Sequence, residues 1–488
     1  MRLILIAAAL VLTAPAQAQA QAPTPAAASQ SVQSVLASAP AGTRFGLLVV
    51  DDQGREIVAV RPDDRFIPAS NTKLFTTAAA LALLNGQSAP GASIGIAPHG
   101  RTGPNIVISG YGGVSLSTAP DCVKACLAPL LDRIAEQTRS VHDVIADDSA
   151  FTDQRWSPGM SWNNIGTDSG TATSALVIDR NELPIVVTPA APGQPPLVAV
   201  SSYYTLVNEA RTVADGETKL GIDRAVGGRT LRLYGTIRAG AAPWRDLMGL
   251  DDPAHYASWL VARELASRGV KVRGKLRTAH RPVGTPPVNV TYRLSRVFHV
   301  TAPPLAEEVS LVNKDSQNLH SELLIRRLAA LPTQTIFEAP IAGLAAPVDS
   351  LERGLAAARG VFVRAGIPRA GYDFSDGSGM STYNRTSPRA AVALLRWSAT
   401  QPWAAAYRAS LPIGGVDGTL RRRFAGTPLA GRIFAKTGTL NATNALSGWL
   451  VAASGRELTF SIIANDVPNG TSAVPTMDAA LLAIAAAN

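Results

Sequence analysis

Residues 68–84 read PASNTKLFTTAAALALL, and the reading of this stretch turns on Lys73. Small and apolar residues run on from Ser70 without a breaker, which predicts a helix from about Ser70 to Leu84. Ser70 and Lys73 then stand three apart on one face, with Cβ atoms ~5–6 Å from each other. Only seven of the 45 Lys and Arg residues are lysine, so an amine stands here in a chain whose usual cation is a guanidinium. The difference matters chemically, because an amine can give up its proton and a guanidinium effectively cannot. A neutral lysine can take the proton of a serine hydroxyl, and the positive end of the helix dipole favours the negative charge that develops there. The lysine pKa must fall for this, through burial or a second cation, and Lys436 is a candidate for that cation. S-x-x-K alone is a common pattern, and a solvated helix face accounts for it just as well.

Two further stretches carry compatible chemistry. In VNKDSQNLHSELLIRRLAAL, residues 312–331, Ser316, Gln317 and Asn318 occupy a turn between two helical runs. A hydroxyl and an amide two apart can both face a cleft, one moving a proton and the other holding a carbonyl, although Ser and Asn also cap helices. In AKTGTL, residues 435–440, Lys436, Thr437, Gly438 and Thr439 lie on a predicted strand. There the lysine and hydroxyls can hold a carboxylate, a strand-edge N–H can donate to an oxyanion, and the glycine would let a substrate backbone approach.

Outward from these motifs, TRFGLLVVDDQGREIVAV predicts two antiparallel strands at roughly 43–51 and 56–60 about a turn at Asp52-Gln53-Gly54. At the other end, GRIFAKTGTL, TNALSGWLVAAS and RELTFSIIAND predict three strands, and VPTMDAALLAIAAA a closing helix. These five strands can form one sheet only if the two ends of the chain meet. Residues 89–289 differ in texture, with short β-like runs, Pro and Gly punctuation and one clear helix in PAHYASWLVARELASRG. They read as a β-rich insertion between catalytic segments 30–88 and 290–488.

The compartment is legible too. Arg2, an apolar run from Leu3 to Leu12 and Ala-Gln-Ala ending at Ala18 or Ala20 have the layout of a signal peptide over residues 1–20, which predicts export to the periplasm. Cys122 and Cys126 are the only cysteines, and in an oxidising compartment their C-x-x-x-C spacing near a helix start predicts a small disulfide ring. No ligand set completes a metal site around them. The net charge of +9 suits cell-wall polymers or acidic lipid headgroups, and equally a dispersed Arg-rich surface. No basic tract with interleaved aromatics points to nucleic acid.

S-x-x-K at a helix start, S-x-N between helices and K-T-G on a strand follow one another in the order used by penicillin-recognising acyl-serine enzymes. With 243 residues between Lys73 and Ser316, the sequence resembles the D-alanyl-D-alanine carboxypeptidase/endopeptidase family of the penicillin-binding protein 4 type, class C of low molecular mass, peptidase family S13. Further matches are PGMSWNNIGTDSGTATSALVIDRN, VSSYYT, DGSGMSTYNRTSP and LPIGGVDGTLRRRF, so the likeness runs through nearly the whole mature chain. The resemblance implies an α/β fold: a β-lactamase/transpeptidase-like domain with a five-stranded antiparallel sheet flanked by helices. A large β-rich domain II is inserted in it, with a smaller domain III nested at roughly 181–238. It implies Ser70 as acyl-ester nucleophile, Lys73 as its base, Ser316 as proton relay and Asn318 as a holder of the substrate amide. Lys436, Thr437 and Thr439 would hold the terminal carboxylate, with the N–H groups of Ser70 and Thr439 as the oxyanion hole. The implied partners are peptidoglycan stem peptides and β-lactam antibiotics, and no cofactor is implied.

Two positions depart from relatives. GYGGVSLS carries Gly113-Val114 in place of a common Asp-Pro, and SWNN puts Asn164 where some relatives have an Asp that meets the amine of the peptide's diamino acid. Two rivals remain at this level. A β-lactamase would need a deacylating base, and no E-x-x-L-N-like segment lies between Asn318 and Lys436. A non-catalytic wall-binding protein with the same fold would be marked by loss of a motif residue, and none is lost.

Overall fold

The computed structural model describes residues 32–84, 91–100, 103–287, 292–331 and 348–488; the signal-peptide reading falls outside them. Five strands form one antiparallel sheet: β1 (Arg44–Val50), β2 (Glu56–Val60), β3 (Ile433–Leu440), β4 (Thr443–Val451) and β5 (Glu457–Asn465), in the order β2-β1-β5-β4-β3. The two ends of the chain do meet, with Leu47 opposite Ile462 and Val49 opposite Phe460.

The pleat of β1 sends alternate side chains to opposite faces. Phe45, Leu47 and Val49 join Leu446, Leu450, Phe460 and Ile462 in a core closed by Met477, Leu481 and Ile484 of the C-terminal helix Val474–Ala487. Leu48 and Val50 face the other way, against Val392. That second face carries the helices that hold the site: α1 (Thr72–Leu84), α2 (Leu305–Lys314), α3 (Asn318–Arg327), α4 (Ser350–Arg364) and α5 (Pro388–Ser398). Leu74, Phe75, Ala78 and Leu81 of α1 pack among Val312, Leu324, Val361 and Leu394, and the polar Lys73, Thr76 and Thr77 of the same helix are buried as well.

The segment from Ala92 builds its own sheets. Five strands lie in the order Leu276–Arg281, Val144–Thr152, Asn105–Gly110, Ala92–Ala97 and Arg296–Val300, and helices Leu127–Gln137 and Pro253–Ser267 pack on them. Arg296–Val300 pairs with Ala92–Ala97, so this sheet continues past residue 289, where the sequence reading ends the insertion. Texture did not reveal this, since a strand's membership depends on its partner. A second helix, Leu127–Gln137, also joins the one read from sequence. Within the nested region, Thr205–Asn208, Arg211–Val213 and Lys219–Asp223 gather around Thr230–Arg238. Leu231, Leu233 and Ile237 sink into the same apolar core as Ile94 and Ile108. Val114 is buried in that core.

Cys122 and Cys126 are joined in a disulfide just before the helix Leu127–Gln137. Thiol titration of the denatured protein should find no free thiol before reduction and two after it. Because the ring is so short, reduction should lower the unfolding free energy by no more than about 2 kcal/mol, read from denaturant melts with and without reductant.

Candidate active site

The site begins at a turn rather than at the first turn of an α-helix. Ala69–Asn71 form a 3₁₀ turn, with Ala69 at φ 47°, and α1 follows from Thr72. Two glycines let other segments close on this turn. A Cβ on Gly438 would lie 2.6 Å from the Pro68 carbonyl oxygen, and one on Gly379 would lie 2.0 Å from that of Ala69. The glycine of K-T-G therefore makes room for the turn of Ser70 itself, rather than for a substrate backbone. Asn71 fastens the turn to the sheet: its Nδ2 donates to the Lys436 carbonyl at 2.8 Å, and its Oδ1 accepts from Ser447 Oγ at 2.6 Å.

Lys73 is 0% exposed. Its Nζ lies 2.9 Å from Ser70 Oγ, 2.7 Å from Asn318 Oδ1 and 2.6 Å from the Ser378 carbonyl oxygen. The last two partners can only accept. A neutral amine would give its two hydrogens to them and leave its lone pair for the Ser70 hydroxyl. Burial lowers the Lys73 pKa to about 7, against the opposing pull of the Asp376 and Glu322 carboxylates. Burial, rather than a second cation, is therefore the cause of the shift. Lys436 is also 0% exposed and is held well below the usual amine range by burial and then by the Lys73 charge.

Lys436 reaches the same place from β3, the edge strand of the sheet. Its Nζ donates to Ser316 Oγ at 2.9 Å and to the Thr437 carbonyl at 3.1 Å. Ser316 sits between α2 and α3 at φ 60°, a left-handed conformation uncommon for a residue with a Cβ. Asn318 opens α3 and is committed at both ends of its amide, because its Nδ2 donates to the Ser169 carbonyl at 3.1 Å. Lys314 turns away from the site to bond Asp417 and the Leu411 carbonyl. Thr437 shares a hydroxyl contact of 2.7 Å with Thr419. The sequence-derived residues Ser70, Lys73, Ser316, Asn318 and Lys436 are thus linked by contacts in two groups, one around each amine.

Asn164 lies on the turn Trp162–Asn164 and lines a cleft of about 290 Å³ together with Thr439, Asn441, Ser169, Met380 and Thr382. Among the described residues no charged side chain lines this cleft, and Asp168 is not among its walls. The inserted segment is therefore a wall of the site as well as an insertion. It is keyed in place by Ser381 Oγ donating to the Pro158 carbonyl at 2.6 Å and by Gln317 Nε2 donating to Glu182 at 3.1 Å.

Sequence reasoning assigned no role to Glu322, Asp376 or Ser378. Glu322 Oε1 accepts the N–H groups of Gly377 and Ser378, and its Oε2 pairs with Arg326 at 2.5 Å. Asp376 accepts from Gly379 and Ser381 N–H and from Asn384, whose amide also reaches Thr72. Together the two carboxylates shape the loop whose Ser378 carbonyl meets Lys73. Burial and the nearby Glu322 raise the Asp376 carboxyl to about 6. The only sequence signal was the density of Gly and Ser in DGSGMST, which is compatible with any tight turn.

This arrangement can activate a serine hydroxyl, stabilise an anion beside a sheet edge and return a proton through a second hydroxyl–amine pair. Among curated proteins, the D-alanyl-D-alanine carboxypeptidase of Actinomadura sp. (strain R39) is 32% identical over 466 residues, covering 91% of this chain and 81% of the relative. The D-alanyl-D-alanine carboxypeptidase DacB of Haemophilus influenzae is 23% identical over 459 residues, 90% of this chain and 89% of the relative. The crystal structure of penicillin binding protein 4 from Haemophilus influenzae shares the fold at a TM-score of 0.75 and 21% identity, covering 93% of this chain and 97% of that one. Residues 28–488 match the D-Ala-D-Ala carboxypeptidase 3 (S13) family, and the chain belongs to that family.

Proposed function

We propose that this chain is an exported serine-type D-Ala-D-Ala carboxypeptidase that also opens peptide cross-links, acting on peptidoglycan stem peptides through an ester on Ser70. The observation that carries the reading is the buried Lys73 amine 2.9 Å from Ser70 Oγ with two carbonyl acceptors behind it. Ser70 Oγ attacks the carbonyl of the penultimate D-Ala as its proton passes to Lys73. The C–N bond then breaks as the proton taken by Lys73 is relayed by way of Ser316, which Lys436 holds, to the leaving amine, so that Lys73 is neutral again. Water then attacks the ester carbonyl, its proton passing to Lys73 and on to Ser70 Oγ as the ester C–O bond breaks, which restores the free serine and neutral amine. Lys436, Thr437 and Thr439 hold the terminal carboxylate at the sheet edge, and Asn318 holds the substrate amide by exchanging its Ser169 partner for the substrate. A β-lactam meets the same Ser70, its ring amide taking the place of the peptide bond; the Haemophilus protein of similar fold has been crystallised in complex with a β-lactam. No helix among the described residues is long and apolar enough to cross a membrane.

Fluorescent penicillin should label the protein, and Ser70→Ala should abolish labelling. Lys73→Arg should be nearly as damaging to the acylation rate as Lys73→Ala, a loss of ~10²–10⁴-fold with the fold intact by circular dichroism. Near wild-type acylation by Lys73→Arg would remove Lys73 from the role of base.

The acylation rate should rise with pH through about 7 as Lys73 loses its proton. Glu322→Gln and Asp376→Asn each remove a negative charge that favours the ammonium, so in both variants the midpoint should move to lower pH. Damage that is merely structural would lower the plateau and leave the midpoint in place.

Asn164 and the uncharged cleft around it offer no anion to an ammonium, so peptides with a free or an acetylated amine on the third residue should be cleaved at similar kcat/KM. Asn164→Asp should restore a preference for the free amine of up to about fivefold. A strong free-amine preference in the native protein would locate the recognising acid elsewhere.

A further inference from the structure

A second cleft, of about 390 Å³, lies in the inserted segment between the nested sheet and the loop that carries Asn164. That loop has two sides. Ser161, Asn163, Asn164 and Ser169 line the cleft beside Thr439, while Trp162, Asn163 and Ile165 line the second cleft, so Asn163 belongs to both. Trp162 is 81% exposed. A large indole in that state is unusual for a surface with no partner, because it leaves extensive apolar area in water. It is not loose chain: Trp162 begins the 3₁₀ turn, with its carbonyl bonded to Ile165 N–H.

The other walls mix two kinds of surface. Ile222 and Leu247 are apolar, and Asp223 and Asp246 are carboxylates. The one cation in the floor, Arg224, is almost fully buried and paired with Asp251 at 2.6 Å, so it offers no free positive charge. An anionic ligand is therefore repelled here. A neutral ligand with a flat C–H face and several hydroxyl donors is suited, since the indole and aliphatic groups cover the face and the carboxylates and the Asn163 amide take the hydroxyls.

We propose that this cleft binds the N-acetylated amino-sugar strand to which a stem peptide is attached, with Trp162 stacking on a pyranose ring. The inference rests on the peptidoglycan reading above, and continuity through Asn163 is what links the sugar cleft to the reacting peptide. A glycan seated there raises the local concentration of its own peptide at Ser70, which appears as a lower KM rather than a higher kcat.

The test uses the full chain and two substrates, a pentapeptide attached to its amino-sugar disaccharide and the same pentapeptide without sugar. The native protein should favour the first. Trp162→Ala should lower kcat/KM for the disaccharide-bearing peptide about tenfold, through KM, and leave the sugar-free peptide and penicillin acylation unchanged. Trp162→Phe should recover most of the loss. Equal loss on both substrates would mean that peptide rather than sugar occupies the cleft, and no loss on either would empty it of function; both outcomes overturn the proposal. Titration of the free disaccharide into Ser70→Ala, followed by indole fluorescence, separates this inference from the catalytic one. A saturable change that disappears in Ser70→Ala/Trp162→Ala supports the sugar site even if penicillin fails to label Ser70. Its absence alongside normal penicillin labelling overturns the sugar site alone.

Discussion

The structure depends on keeping one amine out of water. An ammonium fully removed from solvent is costly unless it is paired, and an amine there drifts toward its neutral form. At Lys73 burial outweighs the carboxylates that oppose it. Burial drives the proton off, Asp376 and Glu322 draw it back, and the pKa comes to rest at about 7. A base poised near neutral pH can both accept the proton of a serine hydroxyl and give it up again.

Much of the surrounding architecture delivers the partners of that amine. The first residue of α3 brings Asn318, the loop after α4 brings the Ser378 carbonyl, and the 3₁₀ turn before α1 brings Ser70. Each contributor is held in turn: Asn71 ties the nucleophile turn to β3 and β4, Glu322 braces the loop of Ser378, and Ser169 of the inserted segment braces Asn318. The second amine is coupled to the first by charge, since a protonated Lys73 disfavours a proton on Lys436. Each amine thus sits against one hydroxyl, Lys73 against Ser70 and Lys436 against Ser316. The inserted segment is part of this system because its loop touches Asn318 on one side and walls the substrate cleft on the other.

The chemistry-bearing motifs were legible because each is local. S-x-x-K states its own geometry through the helical repeat, S-x-N through its place between two helices, and K-T-G through an alternating strand. The five strands were legible from their patterning, and Leu47, Val49, Phe460 and Ile462 do bury the alternate face that patterning demands. A lysine in an arginine-rich chain signalled that an amine was wanted.

What the sequence could not state is whatever depends on a partner far away in the chain. The purpose of Gly438 was misread because the atom that fills its missing Cβ belongs to Pro68. The sequence left burial and a second cation as alternative causes of the Lys73 shift, because burial is a property of the packed core and has no local signature. Glu322 and Asp376 passed unremarked because an acid in a helix or a Gly-Ser loop is ordinary until the loop closes over an amine. The strand Arg296–Val300 joined the inserted sheet through hydrogen bonds to residues about 200 positions earlier. Residue type and spacing determined which groups react; only tertiary packing decided how dry they are, and dryness sets the proton affinity on which the chemistry runs.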